Sequence, residues 1–285
     1  MRGKRNGKSQ SGFTGEKRHP YRLNKKYIQK NSEILKAVEI SKSFGGLKAV
    51  SSLNFEVKSG SITAIIGPNG AGKTTVFNLI SGLERLDSGM ISFRNRRIDT
   101  LRPFDISYLG IARTFQNLRL FSNMNVLENV MMGRYTLSES GIFNCALYNK
   151  KYREEERLIR EKASWWLEFM NLYELRDKKI NEIPFEKQRM VEITRAVASE
   201  PELMLLDEPA AGLNITETKN LSETIYKIRE LGITILIVEH DMDLVMEISD
   251  WIVVLNFGQK IAEGIPHDIQ RDERVIAVYL GKGFE

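Results

Sequence analysis

The chain has 285 residues, 42% of them hydrophobic, enough to build one large domain or two modest ones around a sizeable core. Its net charge of +5 comes from one end: residues 1–30 carry ten Lys or Arg against Glu16 alone, a net +9, and the other 255 residues carry 32 basic against 36 acidic side chains, a net −4. A mildly acidic body offers no basic nucleic-acid face, Cys145 as the one cysteine rules out an internal disulfide and suits a reducing compartment, and no apolar run approaches the ~18 residues of a membrane span.

Residues 1–32, rich in Gly, Ser, Asn, Lys and Arg, read as a disordered basic arm with no apolar core of a secretory signal. A solvated tail is the simpler reading, and contact with anionic lipid or with RNA the sharper one. From Ile34 the texture changes. ILKAVEI and LNFEV (53–57) alternate as strands, and SITAIIG (61–67) reads as a buried one. A helix follows from Lys73 to about Ser81 with Gly82 as its stop, then a strand at ISFRN (91–95). Residues 126–199 are mostly helical in pattern, including a charged stretch at 150–162 leading into WWLEFM. LMLLD (203–207) and ITILIV (233–238) are strand-sized apolar runs separated by a helical pattern at 216–230, and a hairpin turns at Asn256-Phe257-Gly258. That alternation predicts an α/β fold with parallel buried strands and crossover helices.

Gly67-Pro68-Asn69-Gly70-Ala71-Gly72-Lys73-Thr74 matches the G-x-x-x-x-G-K-[ST] phosphate loop, after a strand and opening a helix, with Thr75 next in that helix. Its glycines let successive N–H groups surround phosphate oxygens at a helix N-terminus; Lys73 then reaches the β- and γ-phosphates of ATP, and the Thr74 hydroxyl ligates Mg²⁺. Asp207 ends a buried strand, where open α/β sheets bind ligands, and suits the Mg²⁺ shell; Glu208 beside it suits orienting the attacking water.

LLDEPAAGLN (205–214), the lone His in IVEHD (237–241) and the Gln in RTFQN (113–117) come in the order of an ATP-binding cassette. Residues 34–282 resemble that family, with a helical subdomain over about 117–199. KSFGGLKAV, ARTFQNLRLF, EHDMDLVMEISD and the terminal VIAVYLG resemble the ATP-binding subunits of branched-chain amino-acid transporters, the LivG-like subfamily. The resemblance implies a P-loop NTPase with a RecA-like parallel-sheet core, a small antiparallel β subdomain and an α-helical subdomain. It implies that Phe44 stacks on adenine, that Gln116 touches Mg²⁺ or the attacking water, that Ala211 to Asn214 cross a dimer interface, and that His240 contacts the γ-phosphate. It further implies an ATPase on the cytoplasmic face of the cell membrane. Its partners would be a second, similar but different ATP-binding subunit packed head to tail, and two membrane permease subunits.

One stretch departs from the family. The signature ideally reads L-S-G-G-Q, and here Ile183-Pro184-Phe185-Glu186-Lys187 stands in its place. Side chains at Glu186 and Lys187 obstruct backbone approach to a phosphate. A carboxylate ~4 Å from one phosphate charge is repelled by ~4 kcal/mol at an effective dielectric of ~20, which Lys187 would partly cancel. Pro184 still suits a first helical turn and Glu186 the positive dipole end, while Met190, Ile193, Thr194 and Val197 give an inward face. The expectation is a signature impaired in phosphate contact and intact as a fold element. Three other functions compete: a degenerate regulatory partner that binds ATP, an importer subunit for urea or amides, and a cassette acting on ribosomes or DNA. A single cassette without long coiled-coil insertions weighs against the last, and the absence of an N-K-x-D motif weighs against a GTPase.

Overall fold

The computed structural model describes residues 32–137 and 150–280. The predicted arm, apart from Ser32, and Cys145 lie outside the described residues. β1 (Glu33–Phe44) and β2 (Leu47–Lys58) form a long antiparallel pair. β3 (Ile62–Ile66) leads through the glycine-rich loop into α1 (Lys73–Ile80). Gly82 ends that helix as predicted, at φ +72.

β4 (Ser88–Phe93) and β5 (Arg96–Arg97) follow. β4 stops at Phe93, short of the predicted Asn95, because Arg94 and Asn95 both take left-handed backbone (φ 50 and 59) and make the hairpin turn. α2 (Pro103–Tyr108) and β6 (Ile111–Arg113) come next. Within the helical stretch are α3 (Val126–Arg134), α4 (Lys150–Phe169) and α5 (Phe185–Ala198), the last two separated by two short 3₁₀ turns. The remainder alternates as predicted. β7 (Leu203–Asp207), α6 (Ile215–Glu230) and β8 (Thr234–Val238) precede α7 (Met242–Ile248), β9 (Trp251–Asn256), β10 (Gln259–Gly264), α8 (Pro266–Ile269) and α9 (Glu273–Leu280).

Two sheets result. The larger has the order β10-β9-β3-β8-β7-β6, with β9, β3, β8, β7 and β6 parallel and β10 antiparallel at the edge. The smaller, β2-β1-β4-β5, is antiparallel. Every residue of β3, β7 and β8 is buried, as a sheet covered on both faces requires. Alternation along each strand sorts the apolar side chains into two cores. Leu203 and Leu205 of β7 join Leu236, Val253, the α1 residues Val76 and Phe77, and the inner face of the antiparallel sheet. Met204 and Leu206 face the other way, onto α3 to α7.

Leu205→Ala, in the centre of the first core, should lower the unfolding free energy by about 2–5 kcal/mol. Urea denaturation would show this as a lower midpoint at unchanged slope.

Candidate functional site

Parallel pairing brings the C-terminal ends of four strands to one edge: Ile65 of β3 is level with Val238 of β8, and Val238 with Asp207 of β7, while β6 runs alongside β7. The segments beyond those ends carry the predicted site residues. The loop after β3 is built for close backbone approach. A Cβ on Gly67 (φ +152) would run into the Leu255 carbonyl, and one on Gly72 (φ +99) into the Ala49 carbonyl. Glycine is therefore required at both positions.

Gly72 caps α1 with no side-chain hydrogen bond, and no acid sits in that helix's first turn. By contrast, α3 and α6 open with full capping boxes, Asn125 with Glu128 and Asn214 with Glu217. The first turn of α1 therefore presents N–H groups to an anion, where phosphate fits. Lys73 is buried and donates from Nζ to the carbonyls of Gly67 (2.7 Å) and Pro68 (3.1 Å), while Thr74 is exposed and Thr75 half-buried.

A cleft of 530 Å³ opens beside this loop, walled by Gly67, Pro68 and Asn69 on one side and by Gln116, Glu208 and His240 on the other. Val278 and Tyr279 of α9 complete it. Three residues named from motifs far apart in sequence thus meet over the loop. Gln116 donates from Nε2 to Glu208 Oε2 at 2.8 Å, and His240 Nδ1 lies 3.9 Å from the same oxygen. Glu208 holds left-handed backbone (φ 47), fixed by its N–H bond to Val238 and by its carbonyl accepting from Ala211. A non-glycine residue pinned there fits a functional position. His240 is 60% exposed and faces the open side.

Behind these residues lies a layer of which motif reading named only Asp207. Asp207 and Arg113, 3% and 7% exposed, form a 2.8 Å ion pair, and the same guanidinium donates to Asn78 Oδ1 and Ser81 Oγ of α1 and its cap. Burial pulls Arg113 below its ordinary pKa while Asp207 pulls it back up. Glu239, fully buried, accepts from the N–H groups of Ala210, His240 and Asp241, tying the loop after Glu208 to that of His240. Burial raises its pKa against those bonds. Arg189 of α5 donates to the carbonyls of Phe115 and Gln116 and to Glu192, whose other oxygen accepts from Arg119 N–H. Arg113 and Glu239 stand inside the quoted stretches RTFQN and IVEHD, the one signal that could have found them.

Phe44 is not part of the cleft lining. It sits at the β1–β2 turn opposite Leu47, with Lys42 Nζ 5.1 Å above its ring. In the signature stretch, Pro184 precedes α5 as its cap, with ψ 155, instead of lying within the first turn; its extended conformation ends the preceding loop. Phe185 opens the helix and packs beside Gly212, while Glu186 and Lys187 pair at 3.2 Å. Met190, Ile193, Thr194 and Val197 are buried as predicted. Of the predicted interface run 211–214, Asn214 serves as the α6 cap. A second cavity, 800 Å³, lies by Lys58 and Trp251 and holds none of the site residues.

The family profile described as "ABC transporter" matches residues 50–211, more than half of the chain. The chain belongs to the ABC transporter family. A second profile, "Branched-chain amino acid ATP-binding cassette transporter", matches residues 259–285. The high-affinity branched-chain amino acid transport ATP-binding protein LivG of Salmonella typhimurium is 41% identical over 240 residues, 84% of this chain and 94% of the relative. BraF of Pseudomonas aeruginosa, of the same description, is 40% identical over 250 residues, 87% and 98%. The ADP conformation of an ATP-binding cassette from an ABC transporter superposes with a TM-score of 0.77 at 35% identity, covering 88% of this chain and 99% of that one. The fold is therefore that of the family's cassette, as predicted.

Arg113→Met should strand a buried carboxylate at Asp207 and lower stability by about 3–5 kcal/mol, measured by denaturant unfolding. Arg113→Lys should recover only part of this, since an ammonium lacks the guanidinium's planar fork of donors.

Proposed function

We propose that this chain is the ATP-binding and ATP-hydrolysing subunit of an importer for branched-chain or related amino acids, acting through partner membrane subunits. The convergence of Gln116, Glu208 and His240 over the phosphate loop carries the reading, and the names of its relatives supply the cargo class. The comparisons do not favour the regulatory-partner or amide readings. Among the described residues no helix is long and apolar enough to cross a membrane, which fits a subunit held at the membrane's cytoplasmic face by its partners.

In this reading the α1 N–H groups and Lys73 hold the nucleotide's phosphates. Glu208, bonded to Gln116, orients water for in-line attack and takes its proton, and His240 steadies the terminal phosphate from the open side. Asp207, Thr74 and Gln116 are the residues that would hold Mg²⁺, which supplies charge neutralisation for the phosphates when bound. The donor set suits that ion: one carboxylate, one hydroxyl and one amide oxygen are hard oxygen donors that leave the remaining positions to phosphate and water. Arg113 engages Asp207 at Oδ2. Phe44 is the proposed adenine platform, on strand β1 paired with β2, whose Ala49 backs the loop. Lys73→Ala should abolish nucleotide binding at this site, measured by calorimetry; unchanged affinity refutes the assignment.

The partner cassette is proposed to be a different subunit, packed head to tail, so that the two composite sites are unequal. Glu186 and Lys187 form their own ion pair at the start of α5, where a backbone contact to phosphate needs glycine. This subunit's Glu208 therefore serves the productive site, against an intact signature from the partner. Glu208→Gln should cut turnover of the assembled transporter about 100-fold, while the equivalent change in the partner costs little. Replacing Glu186 by Gly and Lys187 by Gln should raise turnover at the partner's site. Equal effects of the two carboxylate changes would refute the asymmetry.

The +9 charge of residues 1–30 supports a contact with anionic lipid. Deleting them should weaken sedimentation with phosphatidylserine vesicles and leave the melting temperature unchanged.

A further inference from the structure

α9 contributes to the nucleotide cleft, and no motif assigns it a role there. Val275 and Tyr279, four residues apart on one helical face, turn inward: Val275 is buried and Tyr279 packs against the core that covers α3 to α7. The Tyr279 ring reaches the cleft wall beside Gly67, Pro68 and Asn69. Its hydroxyl is buried, yet makes no hydrogen bond among the described residues. Burial pushes its pKa up to about 12, and the group pulling the other way is the Gly67 N–H. A neutral phenol that can both donate and accept thus faces the Gly67 N–H at the first residue of the phosphate loop without forming a well-aligned bond to it. Buried hydroxyls are seldom left so.

The loop's own bonds suggest when that hydroxyl is used. An ammonium has three donors, and Lys73 spends two on the Gly67 and Pro68 carbonyls. Serving oxygens of two phosphates leaves it one, so one of those carbonyls is released when nucleotide enters. We propose that Tyr279 is a positioning residue for the phosphate loop: its hydroxyl steadies the Gly67 end of the loop when Lys73 turns from loop carbonyls to phosphate. The C-terminal helix then supports nucleotide binding from within the same subunit. This inference rests on the nucleotide-site reading above and adds a residue to it.

The test compares the full chain with Tyr279→Phe, which removes the hydroxyl and keeps the ring. The probe is the Mg²⁺ complex of the β,γ-imido analogue of ATP, titrated by calorimetry alongside nucleotide-free melting curves. Tyr279→Phe should weaken binding about fivefold, the worth of one hydrogen bond, with the nucleotide-free melting temperature held within about 2 °C. Unchanged affinity overturns the proposal, as does a loss of affinity that only parallels a fall in melting temperature. Failure of the wild-type chain to bind the analogue would overturn the nucleotide reading itself, whereas a binding wild type with an unaffected variant overturns this proposal alone. Should the variant not fold, hydrogen exchange on the wild-type chain decides: the analogue should slow exchange of amides 273–280, and no slowing overturns the proposal.

Discussion

The buried guanidinium of Arg113 is the reference point for the site. A cation taken out of water must recover its hydration through hydrogen bonds, and here it does so on three side chains of two elements: Asn78 and Ser81 of α1 and its cap, and Asp207 at the end of β7. Phe77 and Phe115 lie 5.6 and 5.0 Å from it, adding ring faces to its surroundings. The helix behind the phosphate loop, the carboxylate preceding Glu208, and the segment running to Gln116 are thereby registered to one planar group. Displacing it would disturb all three.

Arg189 repeats this chemistry one layer outward. Its fork takes the carbonyls of Phe115 and Gln116, and its partner Glu192 holds the Arg119 N–H, so both sides of the Gln116 segment hang on α5. The altered signature residues open that same helix. The changes at Glu186 and Lys187 leave this anchoring untouched, because Arg189 and Glu192 face inward while Glu186 and Lys187 pair beside the cap. Loss of a phosphate contact and retention of the helix's packing role are compatible for that geometric reason.

Motifs with strong local chemistry are legible in the amino-acid sequence itself. The phosphate loop declares itself through glycines that nothing larger could replace, and β3, β7 and β8 through unbroken apolar runs that only a sheet covered on both faces can bury. Asp207 ends such a strand, and Glu208 and His240 come within two residues of one, so their places in the fold are as legible. What stays hidden depends on distant contacts. Arg113 meets Asp207 across 94 positions and Arg189 meets Phe115 across 74, separations that leave no periodic trace. β5 and β6, two and three residues long, are too short for alternation to register, and α2, at six residues, is too short for a helical face. Tyr279 gives no signal of its own, because an i, i+4 face looks the same whether it backs a core or a ligand.

The uncapped start of α1 ties the molecule's resilience to its fuel. A helix whose first turn lacks a side-chain partner is held more firmly when an anion occupies it, and ligand bound only to the folded chain stabilises by mass action. At a hundred times the dissociation constant that contribution is about 2.7 kcal/mol, a sizeable part of an ordinary domain's total stability. Starved of nucleotide, the subunit is a softer protein. Its lifetime against proteolysis would then follow the occupancy of its nucleotide site as well as its own sequence.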